Sequence, residues 1–549
     1  MNKMILELTT LSILIALFGG LTLSIGLFKK LFNWFEIIIM GIILGILLPN
    51  ITYAVLLLLN INFSLTLWLA IIGVYCVIGL ILIFLKTSLS DLKNLISSIH
   101  MDKELIKRNI PYIALLAVFV ISFYIGIQTF PYNYYEFDPF MYMTNAQVIL
   151  WTGQIQAHPY LAYSVYQNIT SNRFEPIVPY WMAGLQSIGG KLFNSTLQQT
   201  AEIYPPLIFV LFGGLVFILF DRAFKDRIGH LSKYLGFITA SLMLSMSVLV
   251  QQFVGALFQE EAFGFFSVIA LITTLYIANK ENKWEYSLLA GIFYVGVLLG
   301  SKYFTVISVV MPIFLMLYAL ILFLKRESMI PLIKTNGLIS LFVLFGNIYL
   351  LLYGGGFGLS GFSLHGIFIP INLVLIAVAM VFALLLELIN YLTAKQILKL
   401  DLMTNKGKAI AITLVMVILF IIGLPILSKA ISYANYLLQF SSYQGEPLFK
   451  TVQEFSNSPV NDLTPYFGIF GSPLVYWGII ALFGLMIAYK AYKKDLDLLA
   501  LILIPTVFPL FYTSLSLSKY LSDGAIVIIL AIGWILGILL ELSLKSEKK

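Results

Sequence analysis

The amino-acid sequence predicts an all-α polytopic membrane protein with about fifteen transmembrane helices. Of its 549 residues, 60% are hydrophobic and only 11% are charged, and the mean hydropathy is +0.96. In soluble domains about a quarter of all residues are charged, so this composition suits a bilayer. Apolar runs close to the ~20 residues that cross a bilayer also recur from one end of the chain to the other.

The apolar runs give the expected spans in chain order. The first run is followed by others and lacks a small-residue cleavage site, so we interpret it as an anchor and not as a removed signal peptide. The spans are expected at about 5–27, 35–58, 65–86, 111–130, 203–221, 234–252, 262–279, 285–300, 304–324, 336–353, 370–393, 409–429, 473–490, 497–515 and 521–541.

Lys and Arg in the connecting loops predict the orientation. With the N-terminus outside, most of the 33 basic residues fall on the cytoplasmic side, including the run from Lys86 to Arg108 and the last residues, Lys545 to Lys549. The net charge of +7 is therefore a topology signal, and nucleic acid is not an expected partner. We expect a multi-pass protein of the cell membrane whose C-terminus is cytoplasmic.

Two long segments then lie outside, at about residues 131–202 and 432–472. Long ordered loops beside a membrane bundle tend to carry function. A shorter outer loop, Tyr353-Gly-Gly-Gly-Phe-Gly, lacks the lysine and the strand of a phosphate-binding loop and is interpreted as a flexible turn. The single Cys76 excludes a disulfide within the chain, and the four histidines share no zinc-ligand spacing.

The first candidate for chemistry is the stretch Tyr134-Tyr135-Glu136-Phe137-Asp138-Pro139. Pro139 suits the first position of a helix, Asp138 suits its N-cap, and Gly153 suits its C-terminal end. Two interpretations of Asp138 stay open. It either only caps this helix, or it is an outward carboxylate that binds a divalent cation or accepts a proton.

Further outward charges leave the same kind of choice. The adjacent Glu260 and Glu261 begin the seventh apolar run, either as helix-start acids or as part of a cation site. Glu454, in the second outer segment, is either a solvated loop acid or a member of that site. Lys519, at the start of the last span, is either a snorkelling anchor or a phosphate ligand. The same ambiguity holds for Arg173 and Lys302.

The order of these motifs resembles the catalytic subunit of oligosaccharyltransferase, including its archaeal and bacterial single-subunit relatives, which belong to the GT-C class of polyprenol-dependent glycosyltransferases. Glu136-Phe-Asp-Pro-Phe resembles the family's E-F-D-P motif, whose aspartate is a metal ligand, and Asp138 matches that aspartate. Gln259-Glu-Glu is similar to the family's D-N-E block, and Glu261 matches its glutamate. Gln259 stands where an acidic ligand is expected, and Glu260 is the residue that would replace it.

The later motifs follow in the family's order. Thr451-Val-Gln-Glu resembles the T/S-x-x-E motif of the second outer loop, and Glu454 matches its glutamate. Lys519 occupies the region where the family places an arginine against the lipid phosphate, so the charge is retained. The resemblance covers about residues 111–541. The sequence ends without the family's last span and without the soluble domain that bears the W-W-D-Y-G acceptor motif.

The resemblance implies a GT-C-like bundle at residues 111–549, with extra transmembrane helices at residues 1–110. It implies transfer of a sugar or oligosaccharide from a polyprenyl or dolichyl phosphate or pyrophosphate carrier to a glycan, lipid or protein acceptor at the outer face. The implied catalytic residues are Asp138, Glu261 and Glu454. The implied ligands of Mg²⁺ or Mn²⁺ are Asp138, Glu260, Glu261 and Glu454, and the implied substrate-binding residues are Lys519, Glu136, Arg173 and Lys302.

Two other functions stay open. A transporter or flippase for a lipid-linked saccharide would place functional polar residues near the bilayer midplane and often shows internal repeats. Most spans here lack such charges, and we detect no repeat. A non-catalytic glycan-binding subunit would keep the outer aromatic surface but would not need Asp138.

Overall fold

A computed structural model gives the fold, and its architecture is the all-α membrane bundle that the apolar runs predict. The structure describes residues 3–59, 61–86, 103–129, 137–153, 177–250, 260–300, 304–353, 361–364, 367–398, 402, 404–417, 464, 468–516 and 521–547. The helices are α1 (Lys3–Phe28), α2 (Trp34–Leu58), α3 (Leu65–Lys86), α4 (Lys103–Thr129), α5 (Phe137–Thr152), α6 (Ile177–Phe193), α7 (Leu197–Glu202), α8 (Tyr204–Ile228), α9 (Leu231–Ser245), α10 (Ser247–Val250), α11 (Glu260–Glu281), α12 (Trp284–Gly300), α13 (Phe304–Lys325), α14 (Ile330–Tyr353), α15 (Ile371–Ala394), α16 (405–417), α17 (Pro473–Tyr492), α18 (Leu498–Ser516) and α19 (Leu521–Glu547).

Every expected span coincides with one of these helices, although the span at 409–429 is described only as far as residue 417. Within the described ranges, nine helical stretches are long and apolar enough to cross a membrane. Three shorter apolar helices accompany them: Trp284–Leu299, Val310–Lys325 and Leu498–Phe511. The predicted class is therefore confirmed.

The structure adds elements where hydropathy predicts only outer loops. The first outer segment contains α5, α6 and α7. Beyond α14, residues Gly361–Leu364 and Ile367–Pro370 form a two-stranded antiparallel hairpin, β1–β2, with Gly361 paired to Pro370. This hairpin lies just past the Gly-rich loop and leads directly into α15.

The first three helices pack closely enough to form one N-terminal unit, α1–α3. A Cβ at Gly20 of α1 would overlap the backbone carbonyl of Gly41 in α2, and a Cβ at Gly45 would overlap the carbonyl of Ala16. Small residues at such positions let helix backbones approach each other directly, which is a common source of helix association in membranes. The unit is therefore held together by backbone contact along the α1–α2 seam.

Helix α8 lies at the centre of the bundle. Every side chain from Tyr204 to Phe224 except that of Val210 is buried, and the helix packs against α2, α4, α9, α11 and α19. A helix that is apolar on all sides needs protein neighbours around its whole circumference. Helix α8 is therefore enclosed by its neighbours on all sides.

Several lysines lie together at one end of the bundle. Near the end of α8, the Lys280 ammonium at the end of α11 lies 2.7 Å from the Asp226 carboxylate. Lys86, which ends α3, lies 2.6 Å from Glu285 at the start of α12, and Lys29 donates to the Lys86 carbonyl at 2.6 Å. We call this the basic end. The opposite end is where α3, α8 and α11 begin.

Candidate active site

Helix α5 carries the first candidate residue. It begins at Phe137, directly before Asp138 and Pro139, and ends at Thr152. Gly153 follows in the left-handed region, with φ +78°, which terminates the helix at no steric cost to a glycine. The helix predicted between Asp138 and Gly153 is thus confirmed with its C-terminal end, but it begins earlier than predicted, so that Asp138 lies in its first turn and not at the N-cap.

Helix α5 lies at the opposite end of the bundle. It packs on α6 and touches α7, the short helix that directly precedes the start of α8. Gly153, which directly follows this helix, accepts a hydrogen bond from the Phe63 backbone N–H at 2.5 Å. Phe63 directly precedes α3, whose other end reaches the basic end through Lys86. Asp138 is therefore carried by a helix that lies away from the basic end.

Helix α11 places the second acidic motif. It packs along α8, and the two helices end together, because Lys280 binds both Asp226 and the carbonyl of Arg222. The two helices therefore run in the same direction, so Glu260 and Glu261 begin α11 at the opposite end. The helix that carries Asp138 and the start of the Glu260 helix thus lie at one end of the bundle. The side chains of Asp138, Glu260 and Glu261 lie outside the described atoms.

The other candidate residues lie outside the described part of the chain. The helices that flank two of them are described. Helix α12 starts at the basic end through Glu285, so its last residue, Gly300, reaches the opposite end. Helix α19 carries Glu541 at the basic end, so its start at Leu521 is also opposite. The candidates outside the described residues are Glu136, Arg173, Gln259, Lys302, Glu454 and Lys519.

Metal binding stays a prediction. Among the residues that the structure describes, no group of three His, Cys, Asp or Glu side chains is placed to hold a metal ion. The predicted ligands Asp138, Glu260, Glu261 and Glu454 have their side chains outside that part.

The structure places buried charges at the basic end that sequence analysis did not single out. Glu36 of α2 is fully buried and is bound through both carboxylate oxygens by Arg222, with Nε–Oε1 at 3.1 Å. The neighbouring Asp221 accepts a hydrogen bond from Ser232 at the start of α9. Helix α8 continues to Ile228, about two turns past its expected end, which carries Arg222 into the protein.

A second charged cluster joins the C-terminal helices to α8. Arg227 lies 3.0 Å from Asp497 and 3.4 Å from Glu541. Asp497 also accepts from the Trp534 indole N–H at 3.2 Å, and Glu541 pairs with the buried Lys490 at 3.5 Å. These charges are mutually neutralised, so their arrangement fastens helices together. These residues could have been identified from the sequence, because charged residues are rare inside apolar helices.

The rim of this cluster reaches a loop outside the spans. Lys490 donates to the Asp495 carboxylate at 2.8 Å, and this hydrogen bond holds the pKa of that carboxyl below its usual range. Asp495 therefore stays charged at neutral pH and complements the lysine at the end of α17.

Comparison with known proteins gives a fold relationship. No protein-family model matches the chain, and no curated protein sequence matches it significantly. Among solved structures, the archaeal oligosaccharyltransferase AglB from Archaeoglobus fulgidus, in complex with an inhibitory peptide and a dolichol-phosphate, has a TM-score of 0.56 at 16% sequence identity, covering 79% of this chain and 50% of AglB. The apo form of the Archaeoglobus fulgidus oligosaccharyltransferase has a TM-score of 0.55 at 16% identity, covering 79% and 51%.

The chain is thus similar in fold to oligosaccharyltransferase and spans about half the length of these structures. The likeness extends over most of the chain although sequence identity is low. It agrees with the resemblance that the motif order implies.

Proposed function

We propose that this protein is an oligosaccharyltransferase-like membrane glycosyltransferase. It transfers a sugar or oligosaccharide from a polyprenyl or dolichyl phosphate or pyrophosphate carrier to an acceptor. The observation that carries the proposal is the fold likeness to AglB, combined with the position of the Asp138 helix and the start of the Glu260 helix at one end of the bundle. The dolichol-phosphate and the inhibitory peptide bound to AglB support a lipid-linked donor and, as one class of acceptor, a peptide or protein.

The proposed reaction is an inverting displacement at the anomeric carbon. The acceptor's nucleophilic atom forms the new bond to that carbon, the bond from carbon to phosphate oxygen breaks, and the carrier leaves as its phosphate or pyrophosphate. Asp138 orients the acceptor and takes its proton. Glu261 and Glu454 complete the acidic site, and Lys519 offsets the negative charge on the departing phosphate.

The proposed metal ligands suit a hard divalent cation. Asp138, Glu260, Glu261 and Glu454 offer only carboxylate oxygens, the ligands that Mg²⁺ and Mn²⁺ prefer. Such an ion, when bound, would act as a Lewis acid on the phosphate oxygens. Glu260 takes the place of the acidic ligand that Gln259 does not provide.

The proposed site faces the outside of the cell. The basic end carries the Lys and Arg residues that close α3, α8 and α11, and such residues are retained on the cytoplasmic side. The Asp138 helix lies at the other end, where the Glu260 helix begins. The N-terminus, before α1, is then outside and the C-terminus, after α19, is cytoplasmic.

A donor-turnover assay tests the proposal. The full chain in lipid nanodiscs, given labelled polyprenyl- or dolichyl-linked sugar with Mn²⁺ and candidate acceptors, is expected to release the lipid phosphate. Asp138→Ala is expected to abolish release, whereas Glu327→Ala, which removes an exposed carboxylate after α13, leaves it unchanged. Full release by Asp138→Ala would remove that residue from the site. If the chain instead moved the lipid-linked sugar across sealed vesicles without releasing phosphate, it would be a flippase.

A further inference from the structure

We propose that the N-terminal unit, α1–α3, is a positioning element that holds helix α5, and with it Asp138, in place. The proposal deepens the proposed function, on which its catalytic consequence depends. Three sets of contacts between the unit and the α5–α6 pair carry it, and all three lie at the opposite end of the bundle.

The first contact joins the turn before α3 to the end of α5. The Phe63 N–H donates to the Gly153 carbonyl at 2.5 Å. A Cβ at Gly153 would lie 2.8 Å from the Cβ of Asn62, and the φ of +78° is unfavourable for any other residue. Gly153 is thus required both by the backbone conformation and by the close approach of the turn.

The second contact is an aromatic cluster between the same turn and α6. The rings of Tyr53 and Tyr180 stack with centroids 5.1 Å apart. Phe63 stacks on Tyr180 at 5.9 Å and lies 5.2 Å from Tyr53. Tyr53 and Tyr180 are fully buried. The residue that binds the end of α5 is therefore itself fixed between α2 and α6.

The third contact is a tryptophan pair one helical turn further along α3. Trp68 of α3 meets Trp181 of α6 edge to face, with centroids 5.5 Å apart, and both are buried. The Trp68 indole N–H donates to the Asn50 side-chain oxygen in α2 at 3.4 Å. A Cβ at Gly184 would lie 2.5 Å from the Trp68 ring, so α6 has a surface shaped to receive this tryptophan.

These contacts matter for α5 because part of the surface of this helix is exposed. Trp151, near its end, is 72% exposed, and α5 packs mainly on α6. The N-terminal unit fixes α6 through Trp68, and through Phe63 it fixes Gly153, the residue that follows α5. Asp138 and Gly153 are joined by about 22 Å of continuous helix, so a shift at Gly153 is transmitted along α5 to Asp138.

Trp68→Leu tests the proposal in the full chain reconstituted in nanodiscs, with Trp151→Leu as the matched control on α5. Amide hydrogen exchange is measured across residues 137–153 and across α17–α19, and the kcat and KM for lipid-linked donor are measured beside it. Because a misplacement of about 1 Å lowers turnover on the order of 100-fold, we expect Trp68→Leu to lower kcat by tens-fold with little change in KM. We also expect faster exchange in α5 and unchanged exchange in α17–α19. Gly153→Ala is the second variant, with the same expected pattern.

Each outcome decides the proposal. Unchanged exchange in α5 in both variants would overturn the anchoring. Faster exchange in α5 with unchanged kcat would overturn its role in placing Asp138. Equal acceleration in α17–α19 would mean general loosening and would also overturn it. If the unmodified chain itself does not turn over donor, the proposed function fails, whereas the exchange measurement still decides whether the unit anchors α5.

Discussion

Arg222 and Glu36 meet inside the bundle although they are 186 positions apart in the chain. The guanidinium group of Arg222 binds both carboxylate oxygens of Glu36, and it lies over the Phe32 ring with 5.0 Å to the centroid. Glu36 also accepts from the backbone N–H of Asn33 at 2.9 Å. This pair joins the N-terminal unit to the central helix α8, and its burial makes it sensitive to the loss of either partner.

Removal of the carboxylate charge is expected to destabilise the protein strongly. Glu36→Gln leaves Arg222 buried without its neutralising partner, a change that costs about 3–5 kcal/mol in comparable buried pairs. The free energy of unfolding and the Tm in detergent measure this. The double variant Glu36→Gln with Arg222→Gln is expected to recover part of the loss.

The matched control for this pair is Lys3→Gln. It breaks an i,i+4 pair with Glu7 in which the lysine side chain is 90% exposed, and such pairs contribute about 0.3–0.5 kcal/mol. If Glu36→Gln lowered stability no more than Lys3→Gln does, the buried pair would not contribute substantially to the stability of the protein.

The α1–α2 seam is expected to reject a single methyl group. Gly45→Ala places a Cβ against the Ala16 carbonyl, so the two helices must separate, at a cost of about 1–3 kcal/mol. Gly73→Ala in α3 is the control, because a Cβ there meets nothing within 4 Å. Thermal unfolding of both variants measures the difference. Equal stability of the two variants would contradict the close packing of α1 on α2.

Thiol labelling tests the proposed orientation. Cys76 is the only cysteine, so Cys76→Ser provides a background for Lys283→Cys, in the turn between α11 and α12 at the basic end, and for Ile469→Cys, an exposed position just before α17. A membrane-impermeant maleimide is expected to label position 469 in intact cells and position 283 only after permeabilisation. The reverse pattern would place the proposed site in the cytoplasm.

Chelation tests the proposed cation. If carboxylates alone form the ligand set, a divalent ion bound by them exchanges with solution, and EDTA is expected to abolish release of lipid phosphate. Mn²⁺ or Mg²⁺ in excess of the chelator is expected to restore it. Full turnover in EDTA by a protein whose metal content falls to zero would exclude a role for the ion.

The spans could be predicted because the bilayer imposes their length and composition. Helix α3 begins and ends at the residues that hydropathy predicts, 65 and 86, because backbone polar groups in lipid must be satisfied within the helix. The helix of Asp138 could be predicted for a different reason. Proline and glycine have local backbone preferences, and in the sequence they mark the first turn of α5 and the residue that follows its end.

Other features depend on the tertiary structure and left no such signal. The expected outer loop contains α6, whose Tyr180 and Trp181 are buried against α2 and α3 rather than exposed to solvent. The hairpin β1–β2 consists of four-residue strands, too short for a periodic pattern. The partners of Arg222 and Arg227 come from distant helices, and a single sequence does not reveal such pairings.

The position of Glu541 in the chain determines when the basic end can close during synthesis. Arg227 contacts Glu541 across 314 residues, and at translation rates of about 5–20 residues per second the arginine precedes this partner by on the order of 15–60 s. After α8 has been made, the Arg227 guanidinium therefore remains incompletely neutralised until the ribosome has made α19. Helix α19 thus completes the neutralisation of a helix in the first half of the protein long after that helix has been made.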